Sequence, residues 1–220
     1  METNHVEALL ASTDDFAGAT HLVDIPGMSS PKICNLLNAL VARMDPGERY
    51  LEVGCWRGRT LLSAALNNAD RVCIGCDKFR LFGRFTGFGF RARRALYGNV
   101  ERFAGRRATI WFHDMRSSVF FRRRSLGPIG VYFYDGAHSY RETRKSIAAG
   151  ARWLSPRAVV LVDDWNVPHV RQATLDGFRD SRVTILWRRD LPGDHTEATW
   201  WNGVGAFYVA TRQPLSLFNA

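Results

Sequence analysis

No apolar run in the 220 residues reaches the ~18 needed to cross a membrane as a helix. The N-terminus, Met1-Glu2-Thr3-Asn4-His5-Val6-Glu7, is acidic and lacks the basic-then-apolar order of an export signal, so a cytoplasmic location is the expectation. Cysteine is scarce, with four residues and no disulfide framework. Cys73 and Cys76 have C-x-x-C spacing, but on a strand an odd spacing sends the two thiols to opposite sheet faces. That disfavours a redox or zinc pair and favours buried, apolar thiols. Internal repeats, low-complexity tracts and an interdomain linker are also absent. What remains is 46% apolar and 12% aromatic, the composition of an ordered globular chain whose length fits one domain over 1–220. Formal charge is +9, with eleven arginines between Arg84 and Arg124. Such a surface attracts anions. No nucleic-acid motif accompanies it, so a solvated arginine-rich face is the expectation and nucleic acid the less expected partner.

Strands and helices alternate. Ser29-Ser30-Pro31 caps a helix whose apolar positions Ile33, Leu36, Leu37, Leu40 and Val41 keep helical spacing, and Asp45-Pro46-Gly47 stops it. The pattern then predicts strand Tyr50–Val53, helix Thr60–Leu66, strand Arg71–Cys76, helix Phe90–Phe103, strand Ala108–Phe112 and a short helix Ser117–Arg124. Strand Gly130–Tyr134 follows, then a helix opened by the capping box Ser139-x-x-Glu142 and running to Trp153. Ala158–Val162 is apolar throughout, as in a strand covered on both faces. Val183–Trp187 and Gly205–Ala210 are strands with no helix between them, hence antiparallel. The fold class expected is α/β: a doubly wound, mostly parallel seven-stranded sheet with an antiparallel last strand. Residues 1–30 read as an N-terminal extension able to act as a lid, 31–180 as the α/β core and 181–220 as the terminal strands. Phe79–Phe90 reads equally as a second lid or a packed loop.

Residues 49–60 form a strand, a glycine loop and a helix start, with the core Glu52-x-Gly54-x-x-x-Gly58. In a dinucleotide fingerprint a second glycine lets the backbone approach a pyrophosphate, and here Trp56 blocks that approach. The loop suits a ligand with an amino group and no phosphates, such as S-adenosylmethionine (SAM). It resembles the first motif of class I SAM-dependent methyltransferases, whose plan also ends in an antiparallel strand. Ligands of open α/β sheets sit outside the carboxyl ends of strands. On that ground Glu52, Gly54, Gly58 and Thr60 are expected at the methionine end. Asp77 is expected at the ribose hydroxyls, and Asp114 and Met115 at the adenine.

Asp135-Gly136-Ala137-His138-Ser139-Tyr140 ends the fourth strand and Val162-Asp163-Asp164 the fifth, which gathers three carboxylates around one spot. Close carboxylates call for a cation or a shared proton, and hard oxygen donors suit Mg²⁺ first, or Ca²⁺ or Mn²⁺, rather than zinc. Asp-Gly-x-His-x-Tyr followed by Val-x-Asp-Asp, with Pro26-Gly27-Met28-Ser29-Ser30 upstream, is similar to the macrocin-type O-methyltransferases of natural-product pathways over residues 25–170. The resemblance implies Asp135, Asp163 and Asp164 as metal ligands, with Asp135 also at the cofactor and the catalytic centre, and His138 as general base. It implies methyl transfer to a hydroxyl of a small molecule such as a sugar-bearing intermediate, while the basic surface points to an anionic acceptor, and self-association is left open. Neither the Asn/Asp-Pro-Pro-Tyr motif of amino-group methylation nor the Pro-Cys nucleophile of pyrimidine C5 methylation is present, which disfavours an RNA methyltransferase. A non-catalytic SAM-binding protein is the remaining alternative. His195, Trp200 and Trp201, in the loop before the last strand, are expected either to wall an acceptor pocket or to pack on the core.

Overall fold

The computed structural model describes residues 3–11, 24–79, 87–103, 108–122 and 126–211. Helix α1 (Thr3–Ala11) precedes α2 (Pro31–Ala42), whose cap is the expected one: the Ile33 amide donates to Ser30 Oγ at 3.3 Å and Pro31 fills the first turn. Alternation then proceeds through β1 (Arg49–Val53), α3 (Arg59–Ala65), β2 (Val72–Asp77), α4 (Phe88–Arg102), β3 (Thr109–Asp114), α5 (Ser117–Phe120), β4 (Ile129–Tyr134) and α6 (Tyr140–Gly150). The chain finishes with β5 (Leu154–Val162), α7 (Pro168–Asp180), β6 (Thr184–Leu191) and β7 (Val204–Ala210).

The seven strands make one sheet in the order β3-β2-β1-β4-β5-β7-β6. All neighbours are parallel except where β7 meets β5 and β6. This is the expected class, doubly wound with an antiparallel last strand. Successive residues of β4 feed opposite layers: Val131 and Phe133 pack into one hydrophobic core, Tyr132 and Tyr134 into the other. Cys73 and Cys76 divide between the same two cores, all four cysteines being free and buried. Strand β1 connects onward to β2 on one side while β4 enters on its other side, so the carboxyl ends of β1 and β4 open a crevice.

Several elements differ from expectation, among them β6, which runs on to Leu191. Strand β5 begins at Leu154, four residues early, because the chain passes from a short 3₁₀ turn (Ala151–Trp153) directly into the sheet. Helix α5 ends at Phe120, and 123–125 lie outside the described residues. Helix α7 was not expected at all. Its signal is nevertheless present: Pro168 opens it, and Val170, Ala173, Thr174, Gly177 and Phe178 are buried at helical spacing. Phe178 docks edge-on to Phe207 of β7 with ring centroids 5.1 Å apart. Residues 80–86 of the expected Phe79–Phe90 lid, and 1–2 and 12–23 of the N-terminal extension, fall outside the described residues. Among the described residues no helix is long and apolar enough to cross a membrane.

Candidate active site

The turn after β1 is tight for a steric reason. Gly54 has φ +95°, and a Cβ there would lie 1.8 Å from the Asp135 carbonyl oxygen, so the loops after β1 and β4 touch backbone to backbone. The Gly54 amide donates to the Cys76 carbonyl at 2.8 Å, and Trp56 and Gly58 also hold positive φ as the chain turns into α3. Asp77 ties this loop down from the end of β2. One oxygen accepts from the Cys55 and Trp56 amides at 3.0 and 2.8 Å, and the other from the Phe79 amide at 2.7 Å. Burial pushes its carboxyl up, and the amide bonds only partly counter that.

Glu52 lies behind the loop. It is fully buried, with Tyr50 donating to one oxygen at 2.6 Å and Thr60 to the other at 2.8 Å, so it clamps β1 to α3. Burial raises its carboxyl from 4.5 to about 7. Glu52 and Thr60 therefore shape the cofactor loop without lining the large cavity in front of it.

That cavity, about 530 Å³, opens at the β1/β4 crevice and brings together Gly54, Trp56, Asp77, Met115, Asp135 and His138. Met28 covers one side, with Lys78 and Arg116 on the wall. Asp114 is not there. It is turned away to Arg93 of α4, Nε to Oδ2 2.6 Å, while the next residue, Met115, reaches the cavity. Adjacent residues at a strand end point oppositely, and the arginine decides which way the carboxylate goes. Trp200 is buried in the core, Trp201 packs on it, and neither lines the cavity, so both serve packing.

At the mouth, His138 Nδ1 lies 2.6 Å from Asp164 Oδ2, and Asn202 donates to Asp164 Oδ1 at 2.6 Å. His169 Nε2 meets the His138 carbonyl at 2.8 Å. Burial pulls the His138 imidazole down, but the bond to Asp164 and the charges of Asp164 and Asp163 outweigh it, and the net shift is upward. Asp164 is lowered correspondingly: burial opposes ionisation, and the His138 bond prevails. Asp164 also sits at φ +55°, a left-handed backbone that aims its side chain back at the histidine. Asp135 and Asp163 interact with each other instead. Burial, then the charge of Asp163, raises Asp135 well above the carboxylate range, while burial, then the charge of Asp164, raises Asp163 to about 7 against a lowering bond with Asp135. Asp163 Oδ1 is buried without a hydrogen-bond partner among the described residues.

The three carboxylates expected around one metal thus separate into two jobs, and no group of three or more His, Cys, Asp or Glu side chains gathers as a donor set among the described residues. Asp164 is committed to His138 and Asn202. Asp135 and Asp163, with their unsatisfied oxygen, have the chemistry of a pair that takes a cation or shares a proton. Sequence reasoning missed Asn202, which is 38 residues from Asp164 and reaches it only through the β7 pairing.

Residues 51–165, from β1 through the acidic strand end, match the family described as a methyltransferase domain. The chain belongs to this methyltransferase family. The solved structures similar to this methyltransferase include an O-methyltransferase from Bacillus cereus in complex with SAH, at TM-score 0.57 and 13% identity over 96% of this chain and 92% of that one. Cofactor-bound Rv0187 from MTB gives TM-score 0.55 at 15% identity over 97% and 92%. TrmN from Thermus thermophilus gives 0.59 at 13% identity, covering 90% of the methyltransferase and 52% of the longer chain. At these identities the likeness is one of fold. No curated protein sequence matches the methyltransferase.

Proposed function

We propose that the methyltransferase uses SAM to methylate a hydroxyl, with His138 as the base and a sugar hydroxyl as the acceptor. The observation carrying this reading is the His138–Asp164 pair at 2.6 Å, whose histidine lines the same cavity as Gly54, Asp77 and Met115. SAM in that cavity places its methionine against the Gly54–Gly58 loop, its ribose at Asp77 and its adenine over Met115. The family match and the SAH-bound relative of the same fold support that cofactor. The acceptor oxygen attacks the methyl carbon as the carbon–sulfur bond breaks. The bonding pair returns to sulfur, giving SAH, and the hydroxyl proton passes to His138 Nε2, since Nδ1 is held by Asp164. An in-line displacement needs positioning above all, and Asp164 with Asn202 fixes the plane of the imidazole.

Asp135 and Asp163 are the residues that would hold a divalent cation, Mg²⁺ by the hardness of their oxygens, with Asp164 outside the set. Bound there, the ion would acidify the acceptor hydroxyl. The base assignment predicts a pH profile. His138 must be neutral to accept a proton and its pKa is raised, so kcat/KM climbs with pH through a midpoint above 6.5. Asp164→Asn moves that midpoint down, and His138→Ala lowers kcat by roughly 10²–10⁴ with SAM binding kept. Full turnover by His138→Ala, with an intact fold, would overturn the assignment.

A further inference from the structure

A second recess, an open groove of about 790 Å³, runs along α6 on the flank of the molecule. Its long side is a stripe of α6 and the turn after it. Arg141, Lys145, Ala148, Ala149 and Arg152 follow one another at helical spacing. Arg182, in the turn between α7 and β6, faces them. Arg144, also in the groove, is neutralised by Asp180, which it grips with two bonds at 2.7 and 2.9 Å. Arg141, Lys145, Arg152 and Arg182 are exposed, and among the described residues none has a carboxylate partner. The alanines leave the floor low, so an anion can approach the cations closely. At one end stands Tyr140, two residues beyond His138, its hydroxyl donating to Asp176 at 2.8 Å, which fixes the ring. Glu142, in the same helical turn, already lines the active-site cavity. The groove therefore starts beside the catalytic histidine and leads away from it.

We propose that this groove binds the phosphate backbone of a single-stranded nucleic acid, whose ribose hydroxyl is the acceptor at His138. The inference rests on the hydroxyl-methylation reading above and names its substrate class. Length decides for a polymer: Arg141 and Arg152 are eleven residues apart on or just past α6, about 16 Å at ~1.5 Å per residue. A phosphorylated monosaccharide cannot touch Arg152 and His138 together, whereas an extended strand of a few nucleotides can. Unpaired cations along a track, with an aromatic ring at its end, form the usual backbone-and-stacking arrangement for single strands. The absent amino-group and C5 motifs do not bear on it, because a ribose hydroxyl uses neither chemistry.

The test is fluorescence anisotropy of a labelled twelve-nucleotide single-stranded RNA on the full chain. The combined variant Arg141→Gln/Lys145→Gln/Arg152→Gln is compared with an equal charge loss on α4, Arg91→Gln/Arg94→Gln/Arg102→Gln. Expected are at least tenfold weaker binding for the groove variant and a log–log salt slope shallower by about 2, at ~0.7 per phosphate contact. The α4 variant stays close to wild type, and calorimetric SAH binding is the same in all three proteins. Equal losses in both variants would mean diffuse attraction and overturn the groove, as would unchanged binding in the groove variant. Displacement of the RNA by polyglutamate of equal charge would assign the surface to an acidic protein and overturn it equally. Loss of SAH binding in wild type would count against the SAM reading, not against the groove.

Discussion

Single residues in this protein answer to burial before they answer to chemistry. Glu52 looks in sequence like a ligand residue, and its surroundings make it a buried clamp between Tyr50 and Thr60. Its folded value of about 7 against 4.5 unfolded fixes a sign. A raised acid contributes full stability below the unfolded pKa and loses it as pH rises through the folded one. Between about pH 4.5 and 7, Glu52 therefore costs on the order of 3 kcal/mol. Glu52→Gln should gain stability relative to wild type as pH goes from 5 to 8, visible as a Tm difference growing by roughly 6–12 °C. A difference that stayed flat with pH would mean Glu52 is not held in that state. Gly54 is legible for the opposite reason, since a glycine after a strand announces backbone that tolerates no side chain. Gly54→Ala meets both the positive φ and the Asp135 carbonyl. It should cost about 1–3 kcal/mol from the backbone alone, measured by denaturant unfolding, and abolish SAM binding.

At the scale of elements, periodicity gave the core and strand ends gave the site. Alternation of apolar runs revealed the strands, and Ser30 and Ser139 announced their helices as caps, both confirmed in atomic detail. Strand ends placed Asp77, Met115, Asp135 and His138 in one cavity without any knowledge of contacts. What spacing could not settle is direction. Asp114 and Met115 are neighbours, and only Arg93, on a different element, turns the first away. Asp163 and Asp164 are likewise neighbours. The left-handed turn at Asp164 and the distant Asn202 assign one to the histidine and leave the other with Asp135. Helix α7 lies outside the expected pattern, although Pro168 and the buried positions Val170, Ala173, Thr174, Gly177 and Phe178 carry its signal. In the loop before β7, large aromatics read equally as pocket or core, and tertiary packing chose core.

For the molecule as a whole, the sheet joins two kinds of surface. The crevice at β1 and β4 gathers acidic groups whose pKa values are driven apart: Asp164 down, Asp135 and Asp163 up. The flank along α6 is open and cationic, part of a formal +9 spread over 220 residues. Charge alone does not distinguish a solvated face from a track, and the difference lies in which arginines already have partners. The central claim concerns the crevice, that the loop after β1, Asp77 and Met115 together bind SAM. Calorimetric titration of SAH into wild type and Asp77→Ala tests it most directly. The account predicts one SAH per chain for wild type. It predicts at least tenfold weaker binding for Asp77→Ala, which loses the ribose acceptor and frees the Cys55 and Trp56 amides. Absence of binding to wild type, or equal affinity in Asp77→Ala, would contradict it.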